Sequence, residues 1–304
     1  MMRNTALLIL GFKRPELIEK LLATLLREVS CPVVVSVDAL KYPDDTVTSH
    51  FHRLHALHPT VEWQFRKENL GVARHIVTAI TEIFEKFDNC IIIEDDVFVT
   101  SSSVIALEQL LENRFPSNVL TAGLFGFVPS LGSLDRVIRN NWRETKYFSA
   151  WGWAIQREDW PGFTLDLAKN YLNSLDEIIE VKVGPKKLPI WRRRFMKVAS
   201  QPKSTWDFQM FLFGLINDKV HLLPKIRVAE NLGFADERAT NTRTRRPSWY
   251  IGKATNSTPC LPVTSSNSII VKSLEFIDSA TWVSDNPQIQ KLRHRRKYNG
   301  RSTV

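Results

Sequence analysis

Residues 5–10 form a continuous apolar run that stops at Gly11, and beyond Pro15 the residues Leu17, Ile18, Leu21, Leu22 and Leu25 recur at helical spacing. The pattern predicts a buried strand feeding a helix, with Pro15 in the first turn, where a missing N–H leaves no hydrogen bond unmade. Residues 33–37 are a second short β-branched run, ending at Asp38. Phe51, Leu54 and Leu57 mark a second helix, and the alternation of Val61, Trp63 and Phe65 marks a third strand. A further helix is expected from about residue 71 to 87 on the stripe Val72, Ile76, Ile80, Ile83, Phe84 and Phe87. It leads into Cys90-Ile91-Ile92-Ile93, a run apolar on both faces, as in a central parallel strand covered by helices.

Strands and helices that alternate in this way imply right-handed βαβ units and a mostly parallel sheet. Such sheets bind ligands at the carboxyl ends of their strands. Residues 11–14, Asp38 and Glu94-Asp95-Asp96 each sit where a strand stops, so the topology makes them neighbours in space. The second half is less regular. A strand-like stretch at 147–155 holds Trp151-Gly152-Trp153, helical patterns follow near 165–181, 190–199 and 205–216, and residues 254–268, rich in Thr, Ser, Asn and Pro, read as a loop or linker. The fold class expected is α/β: a mostly parallel central sheet with helices on both faces, plus a mixed second half. No internal repeat is present.

With 304 residues, 43% of them hydrophobic, the chain can bury a real core. No apolar stretch reaches the roughly 18–20 residues that cross a bilayer, and the run at 6–10 is too short for a signal-peptide core, so an intracellular, cytoplasmic place is expected. Cys31, Cys90 and Cys260 are odd in number and far apart, with neither a disulfide framework nor a zinc spacing. The formal net charge is +9, concentrated at Lys186-Lys187, Arg192-Arg193-Arg194, Arg243 to Arg246 and a basic tail from Arg293. That field attracts polyanions: nucleic acid, nucleotide diphosphates, lipid-linked phosphates or an anionic membrane surface. No helix-turn-helix, zinc-finger or ribonucleoprotein pattern supports the first of these.

Three consecutive acids repel one another unless something positive sits among them. Hard divalent cations such as Mn2+ or Mg2+ take oxygen ligands and often use only one or two protein carboxylates, leaving the rest to water and substrate phosphates. A diphosphate bridged to Glu94-Asp95-Asp96 by such a metal meets both needs. The alternative is a set of solvated turn acids, or a cap for the helix that begins near Ser102. His50, His52, His55 and His58 imitate a metal cluster but read as solvated surface residues of a helix.

In chain order, Gly11-Phe12-Lys13-Arg14-Pro15, Ser36-Val37-Asp38, Asn69-Leu70-Gly71-Val72-Ala73-Arg74, Glu94-Asp95-Asp96, Trp151-Gly152-Trp153, Ser204-Thr205-Trp206-Asp207 and Asn231-Leu232-Gly233-Phe234 resemble the nucleotide-diphospho-sugar glycosyltransferases of the GT-A fold. The likeness is to the group similar to the N-glycan N-acetylglucosaminyltransferase, and it spans roughly residues 5–242. It implies a glycosyltransferase domain at 1–247, with a nucleotide-sugar-binding half at 1–100 and an acceptor half at 101–247, followed by an extension at 248–304. It also implies that Asp96 is the direct ligand of Mn2+ or Mg2+. Glu94 and Asp95 lie beside the donor, Phe12 and Arg14 hold the nucleotide, Asp38 accepts from base or ribose, and Arg74 lies by the diphosphate or donor sugar. Asp207 corresponds to the general base of an inverting transfer, a carboxylate that takes the proton of the attacking acceptor hydroxyl. Without the resemblance, Ser204 and Asp207 equally read as a capping box at the start of an apolar helix. Trp151, Gly152, Trp153 and Trp206 suit sugar binding on the acceptor side, although tryptophans also build cores.

One departure stands out: relatives commonly carry a His where this chain has Asn241, so a neutral amide replaces an imidazole near metal or diphosphate. The activity implied is transfer of a sugar from a nucleotide diphosphate donor, a UDP-sugar favoured, to a hydroxyl of a glycan or lipid-linked acceptor in polysaccharide or glycoconjugate synthesis. The basic segments would hold the protein at the cytoplasmic membrane face, and nucleic acid is not an expected partner. Two other functions use the same features: a sugar-nucleotide nucleotidyltransferase, for which the Gly- and Lys-rich phosphate loop after the first strand is lacking, and a basic nucleic-acid-binding module.

Overall fold

The computed structural model describes residues 4–130, 141–202, 205–234, 236–238, 250, 252–255 and 258–264. Its first half alternates as the pattern predicts: β1 (Thr5–Gly11), α1 (Pro15–Leu25), β2 (Val33–Val37), α2 (Asp45–Leu57), β3 (Glu62–Phe65), α3 (Val72–Lys86) and β4 (Asn89–Glu94). The short β5 (Val97–Phe98), α4 (Ser101–Glu112), β6 (Val119–Gly123), β7 (Asn141–Thr145) and β8 (Trp153–Gln156) follow. A helical layer then comprises α5 (Leu167–Asn170), α6 (Leu175–Lys182), α7 (Leu188–Ser200) and α8 (Asp207–Ile216), before β9 (Val220–Pro224), β10 (Glu230–Asn231) and β11 (Cys260–Thr264).

The main sheet runs in the order β11-β7-β9-β6-β8-β4-β1-β2-β3. β1 pairs in parallel with both β2 and β4, and β2 with β3. β8 lies antiparallel between β4 and β6. Period-2 alternation splits the core into two layers. Leu7, Ile9, Ile91 and Ile93 face α1, α2 and α4 on one side, while Ala6, Leu8, Leu10, Cys90 and Ile92 face α3 and the helical layer on the other. The chain leaves β1 toward β2 on one side and returns to β4 on the other, so the β1/β4 crevice is a topological switch point.

The second half differs from expectation in three places. The strand expected at 147–155 is confined to Trp153–Gln156. Gly152, at φ +74°, turns the chain, and its carbonyl accepts from Leu124 N–H at 2.7 Å, so residues 147–152 leave the ladder. Within the loop expected at 254–268, residues 260–264 form β11, which pairs in parallel with β7; Pro and Thr are tolerated there because the strand is at the sheet's edge. The strands β6 (Val-Leu-Thr-Ala-Gly) and β9 (Val-His-Leu-Leu-Pro) show neither strict alternation nor a β-branched run, so they do not stand out as patterns in sequence. The basic tail, Asn241 and Ser204 lie outside the described residues. Among the described residues, no helix is long and apolar enough to cross a membrane.

His221 is fully buried on β9, with its Nδ1 2.7 Å from the Thr121 hydroxyl. Burial lowers its pKa from 6.5 to about 3. The unfolded chain therefore binds the extra proton between those values, and stability contributed above pH 6.5 is lost as pH falls toward 3. By pH 5 the loss is about 2 kcal/mol. His221→Gln is expected to flatten the urea-midpoint decline between pH 7 and 5 by about that amount; an unchanged slope contradicts the assignment.

Candidate active site

The carboxyl ends of β1, β2 and β4 open into a cavity of about 490 Å³, within the range of ligand pockets. Phe12, Lys13 and Arg14 line it from the β1 end, Asp38 from β2, and Glu94, Asp95 and Asp96 from β4. Backbone bonds beyond the strands fix this edge: Asp38 N–H donates to Gly11 O and Asp95 N–H to Leu10 O, both at 2.9 Å. Asn231 closes one wall, because β10 pairs antiparallel with β5 immediately after the acids. Trp151, Trp206, Asp207 and Phe208 also line it.

Arg14, at the N-cap of α1, supplies the positive charge that the acids require. Its Nη2 bonds Asp95 Oδ1 and stands 3.1 Å from Asp96 Oδ2. Phe12 N–H donates weakly to Asp95 Oδ2 at 3.4 Å. One guanidinium does not balance the cluster. Burial, then the charges of Asp96, Asp95 and Asp207, push the Glu94 carboxyl well above its usual range. Burial against the Arg14 attraction still leaves Asp95 near 6, and burial also raises Asp96. A buried excess of carboxylate oxygen on one side of an open cavity is a fitting donor set for a hard divalent cation. Among the described residues, no group of three or more His, Cys, Asp or Glu is placed to hold a metal ion.

Asp207 opens α8, with Trp206 at the N-cap and no side-chain cap. The capping-box geometry expected from Ser204 and Asp207 is therefore not the one adopted: Asp207 stands at the first helical position rather than the third, and its carboxylate accepts from the Thr205 hydroxyl. Burial raises its pKa in spite of that bond and of the nearby Arg194. Its carboxylate is close enough to Glu94 for the two charges to repel. The cavity thus has an acid cluster at the strand ends and a second carboxylate facing it.

Several expected residues take other positions. Asp38 is buried, and its carboxylate is taken up by the chain itself: it accepts from Leu70 N–H and Gly71 N–H, both at 2.9 Å, and from Asn69 Nδ2 at 3.2 Å. Its role here is to hold the turn before α3, where Gly71 adopts φ +72°. Asp38→Ala removes the acceptor of two half-buried N–H donors, and a loss of about 1–3 kcal/mol in urea unfolding is expected; a loss below about 1 kcal/mol would contradict this role. Arg74 points away from the cavity, 41% exposed and 3.5 Å from Glu68. Trp153 is fully buried against Phe148 and Trp206, so its indole is a core element and not a surface for an acceptor. Gly152 does not line the cavity; its positive φ directs Trp151 to one layer and Trp153 to the other.

Lys13, part of the Gly11–Pro15 segment, lines the cavity as expected, and Lys41, His75 and Arg238 line it without having been singled out by pattern. His75 is one turn into α3, next to Val72 and Ile76 on the apolar stripe, with its Nε2 2.9 Å from the Ser36 hydroxyl. Burial and the nearby Arg66 hold it neutral, with a pKa near 3. Arg238 arrives from the far end of the chain and bonds Glu16 and Asp236; only the fold brings it there. His50 and Arg53 of the histidine-rich α2 pair with Glu19 on the surface, away from the cavity.

No protein-family model and no curated protein matches the chain. Among solved structures it is similar to a mannosyltransferase of Pyrobaculum calidifontis in complex with GDP-Man and Mn2+, at 18% identity and TM-score 0.39, over 60% of this chain and 53% of that one. It is also similar to residues 1–349 of TarS from S. aureus in complex with UDP-GlcNAc, at 13% identity and TM-score 0.32, over 42% of this chain and 36% of that one. A third similar structure is the apo glycosyltransferase GlyE of Streptococcus pneumoniae, at 14% identity and TM-score 0.32, over 59% of this chain and 39% of that one. The chain thus spans about half or less of the length of these solved structures, all of them glycosyltransferases.

Proposed function

We propose that the cavity binds a nucleotide diphosphate sugar with a divalent metal, and that the chain transfers the sugar to an acceptor hydroxyl. The observation that carries this reading is that two sets of carboxylates line one cavity: Glu94-Asp95-Asp96 at a switch point of the sheet, and Asp207 at the start of α8, near enough to Glu94 for their charges to interact. One set can hold a metal and stabilise a leaving group while the other activates a nucleophile.

In this reading Asp96 is the direct protein ligand of Mn2+ or Mg2+, with Asp95 and Glu94 beside it. The metal supplies positive charge for the diphosphate as it departs. Phe12, Lys13 and Arg14 border the nucleotide. The neutral His75 and the Asp38-held turn shape the opposite rim. Asp207, whose pKa burial raises, accepts the proton of the acceptor hydroxyl as general base. Attack by an acceptor hydroxyl held at Asp207, on the face away from the departing diphosphate, would invert the anomeric centre. Trp151, half-buried, supplies flat apolar surface for the acceptor, while Trp206 lines the cavity but is itself packed on Phe148 and Trp153. We favour a uridine nucleotide as donor.

Calorimetric binding of a panel of nucleoside diphosphates, with and without Mn2+, tests the reading. Metal-dependent selectivity for one nucleotide is expected, with a loss of about 100-fold or more in Asp96→Ala, corresponding to about 3 kcal/mol. Binding that is indifferent to metal and base, and that fades with salt alike in both proteins, would leave only a basic surface.

A further inference from the structure

The segment from Leu175 to Ser200 carries seven Lys and Arg against three Asp and Glu. In the fold this charge is sorted. Helix α7 turns Trp191, Phe195 and Val198 inward and leaves Pro189, Arg192, Arg193, Met196, Lys197 and Ser200 exposed. Those positions recur at three and four residues, so they form one continuous stripe along the helix. Arg192 is 3.1 Å from Asp176 of α6, and Lys186 is exposed one turn before the stripe.

A second, independent feature coincides with the charge. Six large hydrophobic side chains are exposed among the described residues, and three of them, Val181 (69%), Met196 (46%) and Leu172 (39%), belong to this α5–α7 layer. Apolar side chains set among cations are what an anionic lipid surface accepts: the cations meet headgroups and the apolar tips enter the boundary below them.

The layer also has a defined relation to the cavity. On the inner side of α7, the Arg194 guanidinium lies 5.2 Å over Trp191 and 5.6 Å over Phe208, and Phe208 lines the cavity beside Asp207. The exposed stripe is therefore about one helix diameter, ~10 Å, from the Asp207 end.

We propose that the exposed stripe of α7, with Lys186 and the neighbouring apolar tips, docks on a bilayer containing anionic lipid. Docking places the α7 side of the molecule, behind which Phe208 and Asp207 line the cavity, next to the membrane, and the acceptor that suits this placement is lipid-linked. The acceptor class rests on the transferase reading; the docking does not.

Co-sedimentation of the full chain with phosphatidylcholine vesicles, with and without phosphatidylglycerol, tests the docking. Binding is expected only with phosphatidylglycerol. Each surface cation contributes about fivefold, so Lys186→Glu combined with Lys197→Glu lowers the partition by about 25-fold or more. Met196→Asp weakens binding further without altering any cation. Arg27→Glu combined with Lys67→Glu, on the other half of the chain, lowers the net charge equally, from +9 to +5, and retains most of the binding. Equal losses in the two paired variants, loss confined to Arg295→Glu with Arg296→Glu in the basic tail, or tighter Lys186- and Lys197-dependent binding to RNA than to vesicles would each overturn the proposal. Asp96→Ala separates the two readings: it keeps vesicle binding if docking is right, whether or not nucleotide binding is lost.

Discussion

Asp207→Asn is expected to lower acceptor-stimulated release of nucleoside diphosphate by about 100- to 10,000-fold, the range that a positioned general base contributes. The amide is nearly the same size and still accepts from the Thr205 hydroxyl, so α8 keeps its start. What is lost is the capacity to hold a proton from the acceptor. The effect should fall on kcat and leave metal-dependent nucleotide affinity unchanged, because in this reading Asp207 activates the acceptor and holds neither metal nor nucleotide. A variant with near-normal kcat and weakened nucleotide binding would instead make Asp207 a donor-side residue and remove the proposed base.

The second large effect is one of stability. Arg14→Met removes the cation that stands between Asp95 and Asp96 and leaves two buried carboxylates unpaired, a change that costs about 3–5 kcal/mol at neutral pH. The urea midpoint measured in chelator should fall accordingly. Because the proposed metal occupies the same acidic end, added Mn2+ is expected to recover more of the midpoint in Arg14→Met than in the wild type. If Mn2+ stabilises neither protein, Asp96 is not a metal ligand; if Arg14→Met is as stable as the wild type, the acids do not depend on this guanidinium.

Both predictions concern residues that local sequence rules could place but not interpret. Glu94-Asp95-Asp96 was legible because it follows four apolar residues whose run length and double-faced hydrophobicity mark a central strand. The first turn of α1 was legible from Pro15, and α3 from its apolar stripe. The same stripe concealed His75, since a polar residue on an apolar face reads as noise until its partner, Ser36 on β2, is known. Arg238 was invisible for a simpler reason: its bond to Glu16 spans 222 positions.

By itself, then, the sequence determined the alternation of strands and helices through β4, the strand ends that gather the acids with residues 11–14, and an apolar helix that begins within a few residues of Asp207. These follow from periodicity and from chain termini of elements, which are local properties. Only the tertiary structure decided how each polar group is used: Asp38 turned to its own loop, Arg74 to solvent, Trp153 to the core, and the cations of α7 to one outer stripe. A side chain's use depends on which unsatisfied donor, charge or apolar surface lies next to it, and those neighbours come from distant parts of the chain. The physical reason is that burial makes an unpaired polar group costly, so partners are chosen by packing rather than by sequence order.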